Sequence, residues 1–222
     1  MCGRYMLATP HERFIARSRL QHAAELVPRY DIAPSESVAA IRENVNQERE
    51  LALLCWGLVP STTKDTKNGY HMINARAETL SQRPAFRAAF VHRRCLIPAD
   101  GFYEWQQTND SKQPYFIRAR DENPLAFVGL WERWQRGQQV IESCTIITTS
   151  ANESLVPIRH RMPVILPEDT YDLWLDPSSQ DPGTLQALLL PYDAKKLVAY
   201  SVSKRVNQPK NDDAECLRQL QA

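Results

Sequence analysis

The chain has almost no net charge: 27 Lys and Arg against 26 Asp and Glu leave +1 over 222 residues. A uniformly basic nucleic-acid-binding domain is thereby excluded, so any site for a polyanion must come from local clustering of arginines. There is no Cys-x-x-Cys pair, and the five cysteines at 2, 55, 95, 144 and 216 make no even framework. That usage excludes a structural zinc cluster or a disulfide scaffold and points to a reducing compartment, so a cytoplasmic location is expected. No apolar run approaches the ~20 residues that cross a bilayer. The N-terminus lacks the charged-then-apolar pattern of an export signal. Repeats, low-complexity stretches and compositional breaks are also missing. What remains is 43% hydrophobic and 24% charged residues, ordinary proportions for a globular chain, over a length (1–222) that fits a single domain.

Residues 2–7 (CGRYML) read as an opening strand. A helix is expected next, to about Ala24, with Thr9 as N-cap, Pro10 at the first helical position and Glu12 closing a capping box. Segments 37–42, 51–59, 95–99, 114–118, 125–130, 140–148 and 196–202 are short, apolar or β-branched, and punctuated by Pro, Gly or polar residues. They read as strands. Shorter helices are expected at 84–90, 152–157, 168–174, 183–190 and 213–220. The one long polar loop runs from Ser61 to His71, and loops of that size usually carry function or mobility. Strands dominate without a regular βαβ alternation. An α+β fold on a curled, largely antiparallel, barrel-like sheet with peripheral helices fits this order.

The most informative tetrapeptide is Met1-Cys2-Gly3-Arg4. Initiator methionine is commonly removed before a small residue, which would leave Cys2 with both a free α-amine and a thiol. The amine titrates at roughly 7.7–8.0 and the thiol near about 8.5, so both nucleophilic forms are available around neutrality. An aldehyde condenses with such an amine to a Schiff base, and the adjacent sulfur closes a five-membered thiazolidine. A cysteine that merely follows the start codon is the ordinary explanation.

Three further segments carry candidate chemistry. In Ile73-Asn74-Ala75-Arg76-Ala77-Glu78, an amide and a guanidinium two residues apart share one face if the backbone is extended. In Asp100-Gly101-Phe102-Tyr103-Glu104-Trp105, a carboxylate lies among aromatics. Apolar surroundings raise a carboxyl pKa and make it a usable proton donor. In Ile158-Arg159-His160-Arg161-Met162-Pro163, an imidazole sits between two cations able to hold phosphate. Each also has a plain structural reading: a polar loop edge, a solvent-facing Glu on a strand, a basic surface turn.

In this order, the segments resemble the SOS-response-associated peptidase (SRAP) family in its bacterial form. The resemblance runs from Cys2-Gly3-Arg4-Tyr5 through Trp56-Gly57-Leu58, Ile73 to Thr79 and Pro98 to Trp105. It continues through Arg161 to Leu166 and ends with Val206-Asn207 and Lys210 to Asp213. It implies a β-rich α+β fold with a positive cleft, self-removal of Met1, and a thiazolidine between Cys2 and the ring-opened sugar of an abasic site in single-stranded DNA. Under that resemblance Cys2 is the nucleophile and Asn74 orients the amine or sugar. Glu104 is the general acid/base, and Arg4, Arg76 and Arg161 hold phosphates beside the backbone of Thr148 and Thr149. It implies no metal or other cofactor, no membrane partner, and a monomer.

Two departures stand out. The family commonly carries its active-site histidine two residues before Arg-Met-Pro; that slot is Arg159 here and His160 follows it. Either the turn shifts and His160 serves, which is the expectation, or the protein works with less help from an imidazole. Relatives often carry tryptophans after Trp56-Gly57 that wedge against bases at a strand junction. Here Ser61-Thr62-Thr63-Lys64 replaces them, with Tyr70 the loop's only aromatic. A stacking wedge is worth roughly 1–3 kcal/mol per base, so a junction preference is not implied. Two other readings stay open. One is an N-terminal-nucleophile amidohydrolase, which would use the same free amine as base for its thiol. The other is a noncatalytic single-strand binder.

Overall fold

The computed structural model describes residues 2–10, 13, 17–20, 25–44, 46–64, 71–109 and 111–220. In chain order its strands are β1 (Tyr5–Leu7), β2 (Arg29–Ile32), β3 (Ser37–Glu43), β4 (Arg49–Trp56), β5 (Asn74–Arg76) and β6 (Arg94–Ala99). They continue as β7 (Gly101–Gln107), β8 (Lys112–Ala119), β9 (Leu125–Arg136), β10 (Gln139–Ser150), β11 (Arg161–Pro163) and β12 (Leu197–Ser201). The α-helices that lie wholly among the described residues are α1 (Pro84–His92), α2 (Tyr171–Leu175) and α3 (Pro182–Ala187).

One sheet, ordered β12-β8-β7-β1-β2, is antiparallel throughout. The other closes on itself. The path β4-β3-β6-β9-β10 returns to β4 because β10 pairs antiparallel with β9 and parallel with β4. Closure leaves these strands without an unpaired edge. β10 runs on past this ring and takes β5 in parallel and β11 antiparallel, with Thr148 opposite both Arg76 and Pro163. The expected α+β fold on a curled, mainly antiparallel sheet is the observed one, with the parallel pairs as an addition.

Side-chain period explains how the sheets join. On β7, Phe102 and Glu104 point one way while Tyr103 and Trp105 point the other. Phe102 packs edge-on against Phe127 of β9 (5.8 Å between ring centroids), and Tyr103 packs on Phe116 of β8 (5.0 Å). Tyr5 of β1 meets Trp56 and Phe127 at 5.4 and 5.9 Å, so β1 is stitched into the barrel side of the core. Gly101 is required at the start of β7, since a Cβ there would stand 2.4 Å from the Phe116 ring.

α1 begins with Pro84, whose missing N–H costs nothing in a first turn. Its Phe86, Ala89 and Phe90 make the i, i+3, i+4 stripe that is buried. Buried Arg94 donates to carbonyls of Phe90 and Val91 at the end of α1, and to those of Trp174, Asp176 and Ser179 around the end of α2. One cation thus satisfies the free carbonyls of two helix ends.

Several expectations need correction. Residues 152–157 form turns rather than a helix, because Asn152 folds back on its own segment: its side-chain oxygen accepts from Leu155 N–H and Ser154 Oγ. Only Ala214–Leu217 of the expected 213–220 helix is helical, as a 3-10 turn, and Gln219 bridges back to Val202. The strands β2, β5 and β11 are too short to show a period and were not expected, and the seven-residue β7 was also absent from the expected strands. Most of the expected helix to Ala24, and Tyr70, lie outside the described residues.

Candidate active site

Cys2 enters the core just ahead of β1. The pairing of Tyr5 with Phe102 carries the N-terminal segment along β7, and Tyr103 N–H donates to Arg4 O at 3.0 Å. At the other end of β1, Asp100 accepts from the N–H groups of Ala8 and Thr9 (2.7 and 2.8 Å), which fixes the strand's exit. Cys2 is fully buried, and the side-chain amide of Asn74 on β5 donates to its carbonyl at 2.7 Å. Asn74 and Arg76 lie on the face of β5 opposite buried Ala75, as their spacing requires.

Glu104 shares the inner face of β7 with Phe102 and is only 4% exposed. Burial lifts its carboxyl above the ordinary carboxylate range, against the pull of the chain's terminal amine and of Arg159. Arg159 Nε stands 3.7 Å from Glu104 Oε2. The Cys2 thiol is pushed well up by burial and, next, by the negative charge of Glu104. In the chain that still carries Met1 the sulfur is therefore a protonated, shielded thiol. Phe102, Ile117, Leu155, Ile158 and Arg161 complete the wall around Glu104 and Arg159.

The arginines differ in their freedom. Arg4 donates to the buried carboxylate of Asp31 (2.6 Å) and to Val206 O (3.1 Å), so its guanidinium is engaged within the fold. Arg161 makes a two-point pair with Glu78 (2.6 and 3.0 Å) and donates to Thr148 O. That pairing holds the Glu78 carboxyl below its usual range. Arg76 is exposed, and Thr148 and Thr149 are buried beneath this pair on β10. The structure thus gathers Cys2, Asn74 and Glu104 in one nest, with Arg161 and Thr148 at its border. His160 is not part of it: its side chain is exposed, while Arg159 takes the place beside Glu104.

Asp31 and Glu78 are the contributions that sequence reasoning missed, whereas Arg159 was placed in the histidine slot but passed over in favour of His160. Glu78 could have been suspected, since it lies two residues after Arg76. For Asp31 no local pattern gives a signal. Among the described residues no group of three or more His, Cys, Asp or Glu side chains is placed to hold a metal ion. Nor is any helix among them long and apolar enough to cross a membrane.

A cysteine directly after the first residue, its carbonyl held by an amide, lies beside a buried carboxyl in a barrel-plus-sheet fold. The chain belongs to the SOS response associated peptidase (SRAP) family, whose family model matches residues 1–209. It is 45% identical over 222 residues to the abasic site processing protein YoaM of Bacillus subtilis, covering 98% of this chain and 97% of that one. It is 28% identical to the abasic site processing protein YedK of Escherichia coli, covering 98% and 99%. The abasic site processing protein HMCES of Gallus gallus is 34% identical over 86% of this chain and 66% of its own length. Among solved structures, a protein of Bacteroides thetaiotaomicron superposes with a TM-score of 0.90 at 26% identity, covering 99% of this chain and all of that one.

Proposed function

We propose that this protein processes abasic sites in single-stranded DNA by capturing the ring-opened sugar on Cys2, after Met1 has been removed. The observation that carries this reading is the convergence of the Cys2 backbone, the Asn74 amide and the buried Glu104 carboxyl in one nest. The names of the relatives, which are abasic site processing proteins, support the choice of substrate.

Loss of Met1 converts Cys2 from a shielded internal residue into a 1,2-aminothiol. The neutral amine adds to the C1′ aldehyde to give a carbinolamine. Glu104, whose anion burial disfavours, donates a proton to the departing hydroxyl, which leaves as water. The iminium that remains is attacked by the Cys2 sulfur, whose proton passes to the Glu104 carboxylate, and the thiazolidine closes. Water is the only product lost. Asn74 holds the Cys2 carbonyl and so aims the amine, while Arg161 and Arg76 hold the flanking phosphates. Such proton transfer is typically worth about 10²–10⁴ in rate, and positioning adds its own share. Ring closure consumes the imine through which β-elimination would break the strand. Removal of Met1 needs only local geometry at the same nest, in keeping with a self-acting peptidase.

Intact mass spectrometry of the protein mixed with an abasic oligonucleotide tests both steps together. The expected species lacks Met1 and carries the oligonucleotide less one water, and it survives denaturation. A protein that retains Met1 and still forms the adduct would overturn the role given to the amine.

A further inference from the structure

We infer that Arg159 is shared between Glu104 and a backbone phosphate of the bound strand, so that arrival of DNA releases Glu104 to take up the proton it later donates. This rests on the covalent-capture reading above.

The geometry separates Arg159 from its neighbours. Its backbone N–H is fixed to Leu155 O at 2.8 Å, but its side chain is 50% exposed while that of Glu104 is 6% exposed. A separation of 3.7 Å is longer than a charge-assisted hydrogen bond, roughly 2.7–2.9 Å, so this contact is easily exchanged. Arg161 differs in its partner: its guanidinium is paired with Glu78 and Thr148 rather than with Glu104, so a phosphate drawn to it displaces Glu78 and leaves the Glu104 carboxyl untouched. On its open side Arg159 borders a cleft of about 320 Å³ together with Trp105, Lys112 and Asn207. Trp105 is fixed there by its indole N–H on Asn207 Oδ1 at 2.8 Å. Lys112 and Arg159 put two cations on this cleft, and a phosphate entering it would draw the guanidinium toward itself and away from Glu104.

The consequence follows from charge alone. Among the described groups that face Glu104 are Cys2, Arg159 and Arg161, and Tyr115, its cross-strand partner on β8, and the terminal amine acts on it as well. Arg159 favours the carboxylate. When it turns to a phosphate, the carboxylate loses that support and gains a proton from water. The acid is thereby armed only when a strand is in place.

Calorimetry in buffers of different ionisation enthalpy, with mature protein and an undamaged single-stranded oligonucleotide near pH 7, reads this proton directly. Wild type should take up about one proton or a fraction of it per complex. Arg159→Gln should take up measurably less, because one of the cations that favour its carboxylate is missing before DNA arrives. Arg159→Lys should restore part of it, and Glu104→Gln should abolish it with DNA binding retained. Equal uptake in wild type and Arg159→Gln, or no uptake in wild type, would overturn the inference. The abasic oligonucleotide, assayed in parallel by mass, separates the two levels. Adduct formation without the Arg159-dependent proton removes only this inference, whereas no adduct in wild type removes the capture reading and this inference with it.

Discussion

Arg161 and Glu78 meet as a parallel two-point pair, Nη1 to Oε1 at 2.6 Å and Nη2 to Oε2 at 3.0 Å. A carboxylate thereby occupies the face of Arg161 that a phosphate would need. DNA binding at this point is a competition.

Replacing Glu78 with Gln removes that competitor and should tighten binding of single-stranded DNA by up to about fivefold, the scale of a half-exposed ion pair. Arg161→Gln should weaken binding and flatten its dependence on log salt by about 0.7, one phosphate's worth for a single strand. A salt titration of both variants measures this, and an unchanged slope would take Arg161 out of the backbone contacts.

Cys2→Ala should leave noncovalent binding intact and eliminate the denaturation-stable complex with abasic DNA. Cys2→Ser should give at most a labile adduct, because an oxazolidine reopens far more readily. Denaturing gels with and without a reductant that traps imines distinguish the two. Persistence of a stable complex in Cys2→Ala would refute the assignment.

Adduct formation should show a bell-shaped pH profile. The amine must be neutral, so the rate falls as pH drops below roughly 7.7–8.0. Glu104 must carry its proton, so the rate also falls as pH rises through the carboxyl's raised pKa. The profile is the product of the two fractions, and both limbs are set by the folded site. Glu104→Gln should lose the limb that falls with rising pH and slow both formation and release of the adduct by about 10²–10⁴. A single-turnover pH series checks this.

Asp31 offers a test of the fold rather than of the chemistry. Burial beside Arg4 raises its carboxyl from 3.8 to about 6, with Arg4 pulling the other way. Between these values the native state holds a proton that the unfolded chain has lost. This group's contribution to stability is therefore complete at low pH and is lost as pH rises toward about 6. Chemical denaturation of wild type and Asp31→Asn across that window should show the wild type losing ground to the variant as pH rises. Parallel curves would exclude Asp31 as the titrating group.

Much of the site was legible because its chemistry is local. An aminothiol requires only Met1-Cys2, and the aromatic setting of Glu104 is written in the residues on either side of it. Strand identity was also legible in several longer segments, as in β3, β9 and β10, though not in β7, whose polar and aromatic residues hide its period. The role of Arg159 was less legible. His160 has the chemistry expected of an active-site residue, yet the turns at 152–158 give Arg159 the inward direction, with its N–H on Leu155 O. A turn's direction depends on hydrogen bonds such as those of Asn152, which no periodicity encodes.

The sequence alone determined which reactive groups this protein owns, since covalent chemistry, charge and side-chain period are properties of a few adjacent residues. Only the tertiary structure decided which of them meet. Asn74 reaches the Cys2 carbonyl from 72 positions away because β5 lies in parallel on β10 while β1 lies antiparallel on β7. Pairings of that range are selected by the whole barrel closing at once, and no short stretch of chain contains the information.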